Sequence, residues 1–201
     1  MICVVDYGMG NLRSVSKALE KLGGKVEVSS SPASLRKATK IVLPGVGAFG
    51  DGFQELKRRG LVEPLLEGLR EEKPFLGVCL GMQLLFERSE ESPGTPGLSF
   101  FRGEVKRFSS KSLKIPHMGW NQMKIQKRDV PLFQGVADQS YFYFVHSFYP
   151  VPEDRALVAG TSEYGEEFPS VIGKGKIWAS QFHPEKSQAT GLKILENFLA
   201  L

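Results

Sequence analysis

The sequence predicts an α/β chain: an open, mostly parallel sheet flanked by helices on both faces, with added antiparallel strands. Two observations predict it. Through the first half, short apolar runs alternate with segments of helical period, which is how parallel strands and their crossover helices read. After a turn-rich stretch at residues 89–98, β-rich runs dominate until a closing amphipathic helix.

Ile2-Cys3-Val4-Val5 is a short strand that turns through Tyr7-Gly8-Met9-Gly10. A helix follows from Asn11, because Leu12, Val15, Leu19 and Leu22 share one face, and Gly23-Gly24 stop it. Residues 25–28 alternate as a strand, residues 34–38 form a brief helical piece, and residues 40–43 read as a buried strand. Helical patterns cover residues 52–59 and 61–72. Residues 75–78 are another buried strand, running into a helix from Leu80 to about Arg88. Ser-Glu-Glu-Ser-Pro-Gly-Thr-Pro-Gly, from residue 89, is turn chemistry and marks a boundary between the halves. Beyond it, residues 100–108, 141–146, 156–162 and 170–182 are β-rich, with a hairpin suggested at Gly173-Lys174-Gly175. Leu192, Leu195, Phe198 and Leu199 give the last helix its apolar stripe.

Composition narrows the class of function. At 201 residues the chain is long enough to bury a sizeable core without staples. An apolar share of 41% and a charged share of 24% exclude a disordered or fibrous chain. The formal charge of +4 is spread along the sequence and falls short of a nucleic-acid footprint. Lys57-Arg58-Arg59 and residues 124–128 read as solvated faces. Two cysteines, Cys3 and Cys79, allow at most one bridge. No apolar run approaches the roughly 18–20 residues of a membrane span, and the first residues lack the basic leader of a secretory signal. The expectation is a soluble, cytoplasmic protein with reduced thiols, free of membrane and nucleic-acid partners.

Gly77-Val78-Cys79-Leu80-Gly81 lies between a buried strand and a helix. A nucleophile on such a tight turn projects from the carboxyl edge of the sheet, and the flanking glycines let backbones approach. The start of a helix also favours thiolate over thiol; the bland alternative is a small buried hydrophobe. A cysteine nucleophile needs a base, and His117, His146 and His183 are available. His183 sits in Gln181-Phe182-His183-Pro184-Glu185, where an acid two positions on, across a proline, can hold the other ring nitrogen. Leu43-Pro44-Gly45-Val46-Gly47 again follows a buried strand. Its backbone N–H groups, with that of Leu80, suit an oxyanion hole. It lacks the lysine and hydroxyl of a P-loop.

In combination, Pro44-Gly45-Val46-Gly47, residues 77–81 with Met82-Gln83-Leu84-Leu85, and residues 182–185 resemble the triad-type (class I) glutamine amidotransferase family, in order and spacing and over essentially the whole chain. The resemblance implies one amidotransferase domain over residues 1–201. It implies that Cys79 attacks the side-chain amide of glutamine, that His183 moves the proton and that Glu185 orients His183. It further implies substrate and oxyanion contacts from Gly45, Val46, Gly47, Leu80, Gln83, His146, Ser147 and Phe148, and no metal or cofactor. The Pro-Gly-Val-Gly segment would reorient before its amide points inward. Gln83 has an exposed-helix alternative, and His146 a core one.

More narrowly, residues 6–12, 44–49, 116–121, 143–147 and 183–187 are similar to the branch that delivers ammonia to a (β/α)8-barrel cyclase in histidine biosynthesis. That branch implies a heterodimer with the barrel as a separate subunit, and an interface from Asn11, Met118, Trp120, Asn121, Tyr143 and Lys186. Met118 and Trp120, in an exposed Met-Gly-Trp-Asn turn, would anchor it; the alternatives are a core Trp120 and a merely solvated Lys186. His117 reads as structural or interfacial. Two other readings stay open: an amidotransferase serving pyridoxal phosphate, anthranilate or guanylate synthesis, and an inactive scaffold subunit.

Overall fold

The structure, a computed structural model, describes residues 1–109 and 113–201. Its first half supplies strands β1 (Ile2–Val5), β2 (Val26–Ser29), β3 (Lys40–Leu43) and β4 (Phe75–Val78), separated by helices α1 (Leu12–Lys21), α2 (Pro32–Lys37), α3 (Phe49–Arg58) and α4 (Val62–Arg70). After β4 come a single helical turn, α5 (Leu80–Gln83), and a short strand, β5 (Arg88–Ser89). The second half contributes β6 (Gly103–Arg107), β7 (His117–Ile125), β8 (Ser140–His146), β9 (Phe148–Pro152), β10 (Val158–Glu163), β11 (Glu167–Lys174) and β12 (Ile177–Ser180) before the closing helix α6 (Gln188–Ala200).

The main sheet has the order β2-β1-β3-β4-β12-β11-β10-β7-β8. Strands β2 to β12 of that order run parallel, and β11, β10, β7 and β8 continue it with antiparallel pairings. A second sheet joins β5, β6 and β9. Every residue of β1, β4 and β12 is buried, as expected where helices cover both faces. Alternation along β1 shows the two layers. Cys3 and Val5 pack with Leu35, Phe53, Leu56 and Leu65 from α2, α3 and α4. Ile2 and Val4 pack with Val15 and Leu19 of α1 and with Ile194, Leu195 and Phe198 of α6. Among the described residues no helix is long and apolar enough to cross a membrane.

Several elements depart from the sequence reading, β5 and β9 among them, which it does not mark as strands. The helix after Leu80 stops at Gln83 because the next turns tighten to Leu85 N–H→Met82 and Phe86 N–H→Gln83 bonds. The carbonyls of Leu84, Leu85, Phe86 and Glu87 are then taken by amides of residues 97–101 as the chain returns. Helix α3 begins at Phe49 rather than Gly52, since its first amides are capped from the turn-rich stretch: Phe49 N–H donates to Glu91 (2.7 Å) and Gly50 N–H to Ser92 (3.0 Å). The Met-Gly-Trp-Asn segment is no turn. It lies within β7, where Met118 and Trp120 point outward and Gly119 has φ 135°. Of the basic run at residues 57–59, Arg59 turns inward onto the Asp6 carbonyl (3.4 Å).

The glycines at the β4–α5 turn let three backbones meet. A Cβ on Gly77 would lie 2.7 Å from the Gly81 carbonyl oxygen, and one on Gly81 would collide with the Leu43 carbonyl of β3. Because that obstacle is backbone in a buried strand, Gly81→Ala is expected to destabilise the chain by about 3 kcal/mol, the upper range for overpacking. Thermal denaturation of the purified variant checks it, and an unchanged melting temperature contradicts the close approach.

Candidate active site

Strand β4 ends at Val78 and α5 begins at Leu80, leaving Cys79 alone at φ 54°, ψ −106°. That conformation is strained for any residue with a Cβ, and it is held by neighbours. Cys79 N–H donates to Ser180 of β12 (2.8 Å), and the Cys79 carbonyl accepts from Met82 (3.0 Å) and Gln83 (3.2 Å). The sulfur therefore projects at the carboxyl edge of the parallel strands. Gln181 Nε2 approaches it at 3.6 Å, and Sγ lies 3.9 Å from the Val145 carbonyl of β8. With α5 only one turn long, its dipole is a weaker source of positive potential than the longer helix the sequence suggests. The nearby imidazole is the stronger one.

That imidazole is His183, on the segment leaving β12. Its Nδ1 lies 2.9 Å from Glu185 Oε1. A carboxylate only accepts, so Nδ1 donates to Glu185, and Nε2 is the nitrogen left to exchange a proton with the sulfur. Both side chains are buried, and among the described residues Nε2 has no hydrogen-bond partner. Burial alone pushes the ring down, but the Cys79 sulfur and then the Glu185 carboxylate outweigh it, so the His183 pKa is raised. The backbone fixes the ring's position as well. His183 N–H donates to Tyr143 of β8 (2.9 Å), and Ser187 Oγ donates to the His183 carbonyl (2.6 Å).

A cleft of about 400 Å³ opens beside Cys79. One wall is Val46, Gly47 and Ala48; the floor is Cys79, Leu80 and Gln83; the far wall is Val145, His146, Ser147 and Phe148, with Pro116 and Glu91 at the rim. Gly45 stands just behind it. The Leu80 N–H, the anticipated oxyanion donor, is engaged by the Gly45 carbonyl at 3.3 Å. Directly behind Gly45 the Tyr7 hydroxyl is fully buried, with no hydrogen-bond partner among the described residues. Gln83 is buried rather than exposed. Its amide donates to the Phe148 carbonyl (3.0 Å) and to Gln181 Oε1 (3.2 Å).

The anticipated interface residues fall into three places. Met118 (62% exposed) and Trp120 (46% exposed) stand out from β7, which removes the core alternative for Trp120. Tyr143, opposite Trp120 in the β7–β8 pair, has its ring 6.1 Å from Trp120 and 5.9 Å from Lys186 Nζ. Asn121 instead turns inward, to His117 and to the Glu163 carbonyl. Asn11 lies apart, capping α1 at Ser14 N–H (3.3 Å). Sequence reasoning misses Glu91, hidden in a stretch that reads only as turn, and Tyr141, an exposed neighbour of Trp120 on β8. Gln181 was visible, two residues before His183, but without a signal of its contact to sulfur. Among the described residues no group of three or more His, Cys, Asp or Glu side chains could hold a metal ion.

Comparison with known proteins identifies the family. The family model of class-I glutamine amidotransferases matches residues 3–201. The chain belongs to that family. A protein of Desulfitobacterium hafniense named imidazole glycerol phosphate synthase subunit HisH is 50% identical over 198 residues, covering 98% of this chain and 93% of its own length. Relatives of the same subunit name are similar to the chain at 51% identity in Geobacter sulfurreducens (98% and 97% covered) and 48% in Methanococcus maripaludis (100% of both). Among solved structures, PurLQS from Thermotoga maritima aligns with a TM-score of 0.78 at 20% identity, over 99% of this chain and 97% of that one. A crystal structure titled glutamine amidotransferase aligns at 0.74, also at 20% identity, over 100% and 98%. These two show the fold alone.

The raised His183 pKa gives a pH test. Glu185→Gln removes the anion that favours the charged ring, so imidazolium is lost at lower pH and less positive charge faces the Cys79 sulfur near neutrality. Alkylation of Cys79 by iodoacetamide at neutral pH is expected to slow by about tenfold or more, since an adjacent opposite charge is worth about 1–3 pKa units. The rise of the rate with pH should move to higher pH; an unaltered profile contradicts the role of Glu185.

Proposed function

We propose that this chain is the glutaminase subunit of an imidazole glycerol phosphate synthase. In this reading it works as one domain over residues 1–201, in the cytoplasm, and passes ammonia to a separate (β/α)8-barrel cyclase subunit in histidine biosynthesis. The observation that carries the reading is the convergence of Cys79, His183 and Glu185 beside a cleft whose far wall starts on β8, the strand paired with the one that carries exposed Met118 and Trp120. The near full-length similarity to subunits of that name supports the choice of branch.

The chemistry follows from the named groups. His183 Nε2 takes the thiol proton, and Cys79 Sγ attacks the side-chain amide carbon of glutamine. An S–C bond forms and the carbonyl π pair moves to oxygen. As the intermediate collapses, His183 protonates the departing nitrogen, the C–N bond breaks and ammonia leaves. Water then attacks the γ-glutamyl thioester; its proton passes through His183 to sulfur, and glutamate is released. Gln83 and residues 146–148 hold the amino-acid end of the substrate. The oxyanion needs the Leu80 N–H that the Gly45 carbonyl now engages. The Gly45–Val46 peptide must therefore turn, bringing the Val46 or Gly47 amide alongside Leu80. Until it does, hydrolysis is held back, and ammonia is not spilled into water to be protonated. Met118, Trp120, Tyr143 and Lys186 make the docking face, with Asn11 beside the turning loop and Asn121 bracing β7 from within.

Cys79→Ala is expected to abolish glutamine-dependent synthesis by the complex while cyclase activity with added ammonia persists, measured side by side; loss of both in a folded complex sinks the division of labour. Recovery of a different synthase in a pull-down, with no barrel subunit, would move the chain to another branch. Trp120→Ala is expected to weaken assembly by about 1 kcal/mol or more, as for an anchor residue, and titration calorimetry showing unchanged affinity removes Trp120 from the interface.

A further inference from the structure

At the far wall of the cleft, buried His146 and its neighbour His117 sit in a hydrogen-bond chain whose proton positions chemistry fixes. The Phe148 carbonyl only accepts, so His146 Nδ1, 2.8 Å away, carries a proton. Burial pushes the His146 ring down to about 3 and the His117 ring down to about 4, so near neutral pH each holds one proton. His146 Nε2 is then an acceptor, and the proton in its 2.9 Å bond to His117 belongs to His117 Nδ1. His117 Nε2, left as an acceptor, receives Asn121 Nδ2–H at 3.2 Å. The Asn121 amide is independently oriented: Nδ2 donates to the Glu163 carbonyl (2.8 Å) and Oδ1 accepts from Gln122 N–H (2.8 Å). Every donor in the chain therefore has an assigned acceptor.

This chain runs from β7 to the lining of the cleft. His117 lies on β7, next to exposed Met118, and faces His146 across the β7–β8 pair. At the other end, the Phe148 carbonyl takes both His146 Nδ1–H and Gln83 Nε2–H, and Gln83 leads through Gln181 to the Cys79 sulfur. We infer that His117 is a positioning residue, coupling the docking face of β7 to the glutamine-binding wall through one tautomer-fixed hydrogen bond to His146. A partner seated on Met118 and Trp120 shifts β7, and the bond carries the shift to Phe148 and Gln83. The inference rests on the proposed function and adds a route by which docking tunes affinity for glutamine.

The test uses the full chain with and without the barrel subunit and its nucleotide ligand. His117→Phe keeps a ring between Phe144 and Tyr164, whose rings lie 4.9 and 4.2 Å from His117, but removes the donor. His117→Asn restores an N–H near the Nδ1 position. In the complex, His117→Phe is expected to raise KM for glutamine by about tenfold, the effect of one buried unpaired acceptor, with kcat changed by less than about threefold. His117→Asn should return KM to within about threefold of wild type. An unchanged KM in His117→Phe overturns the inference, as does failure of His117→Asn to restore it. Long-range 1H–15N correlation on the unmodified chain gives a readout that needs no variant to fold. Both rings are expected to be protonated at Nδ1, and an Nε2–H on either one overturns the relay. A wild-type complex without glutaminase activity would instead sink the proposed function; an active one with a silent His117→Phe sinks only the coupling.

Discussion

The site is arranged around one ring that is held from three directions. Glu185 grips the Nδ1 of His183, Tyr143 accepts its backbone N–H, and Ser187 Oγ bonds its carbonyl. The same Ser187 Oγ accepts from Tyr143 N–H at 3.0 Å, so the short segment after β12 is stitched to β8. These bonds join the parallel half of the sheet, which presents the sulfur, to the antiparallel half, which presents the far wall of the cleft. Without them the base would be free to wander from the nucleophile, and a raised pKa on its own would accomplish nothing.

The sheet's change of direction at β12–β11 divides the labour. Parallel strands, buried on both faces, make a rigid frame whose carboxyl edge is the natural place for a nucleophile. The antiparallel extension has its last pair, β7 and β8, at the margin, where alternate residues face outward. Apolar side chains exposed there find no cover within the chain. The arrangement puts an exposed apolar surface and part of the cleft's lining on one strand pair.

Much of this was legible in the residues. β1 and β4 are short unbroken apolar runs and β3 is one led by Lys40, and their boundaries in the structure are those read from the sequence. The Gly-x-Cys-x-Gly pattern marked the elbow because glycine is required where backbones nearly touch, and the His-Pro-Glu spacing pointed to the His183–Glu185 contact. β7 was hidden because Gly119 and Asn121 carry turn chemistry while its first two outward residues, Met118 and Trp120, are apolar, reversing the usual cue. The short α5 was unreadable locally, since what ends it is hydrogen bonding from residues 97–101. Glu91 and the His117–His146 contact were out of reach for the same reason. Each depends on segments far apart in the chain, and no local period encodes them.

Cys79 occupies a backbone geometry that suits only glycine well. The folded chain thus keeps a local tension at the middle of its best-packed sheet, maintained by the surrounding bonds and relieved by a single change that deletes the reactive atom. A lineage released from the need to liberate ammonia would gain sturdiness by drifting to glycine at this position.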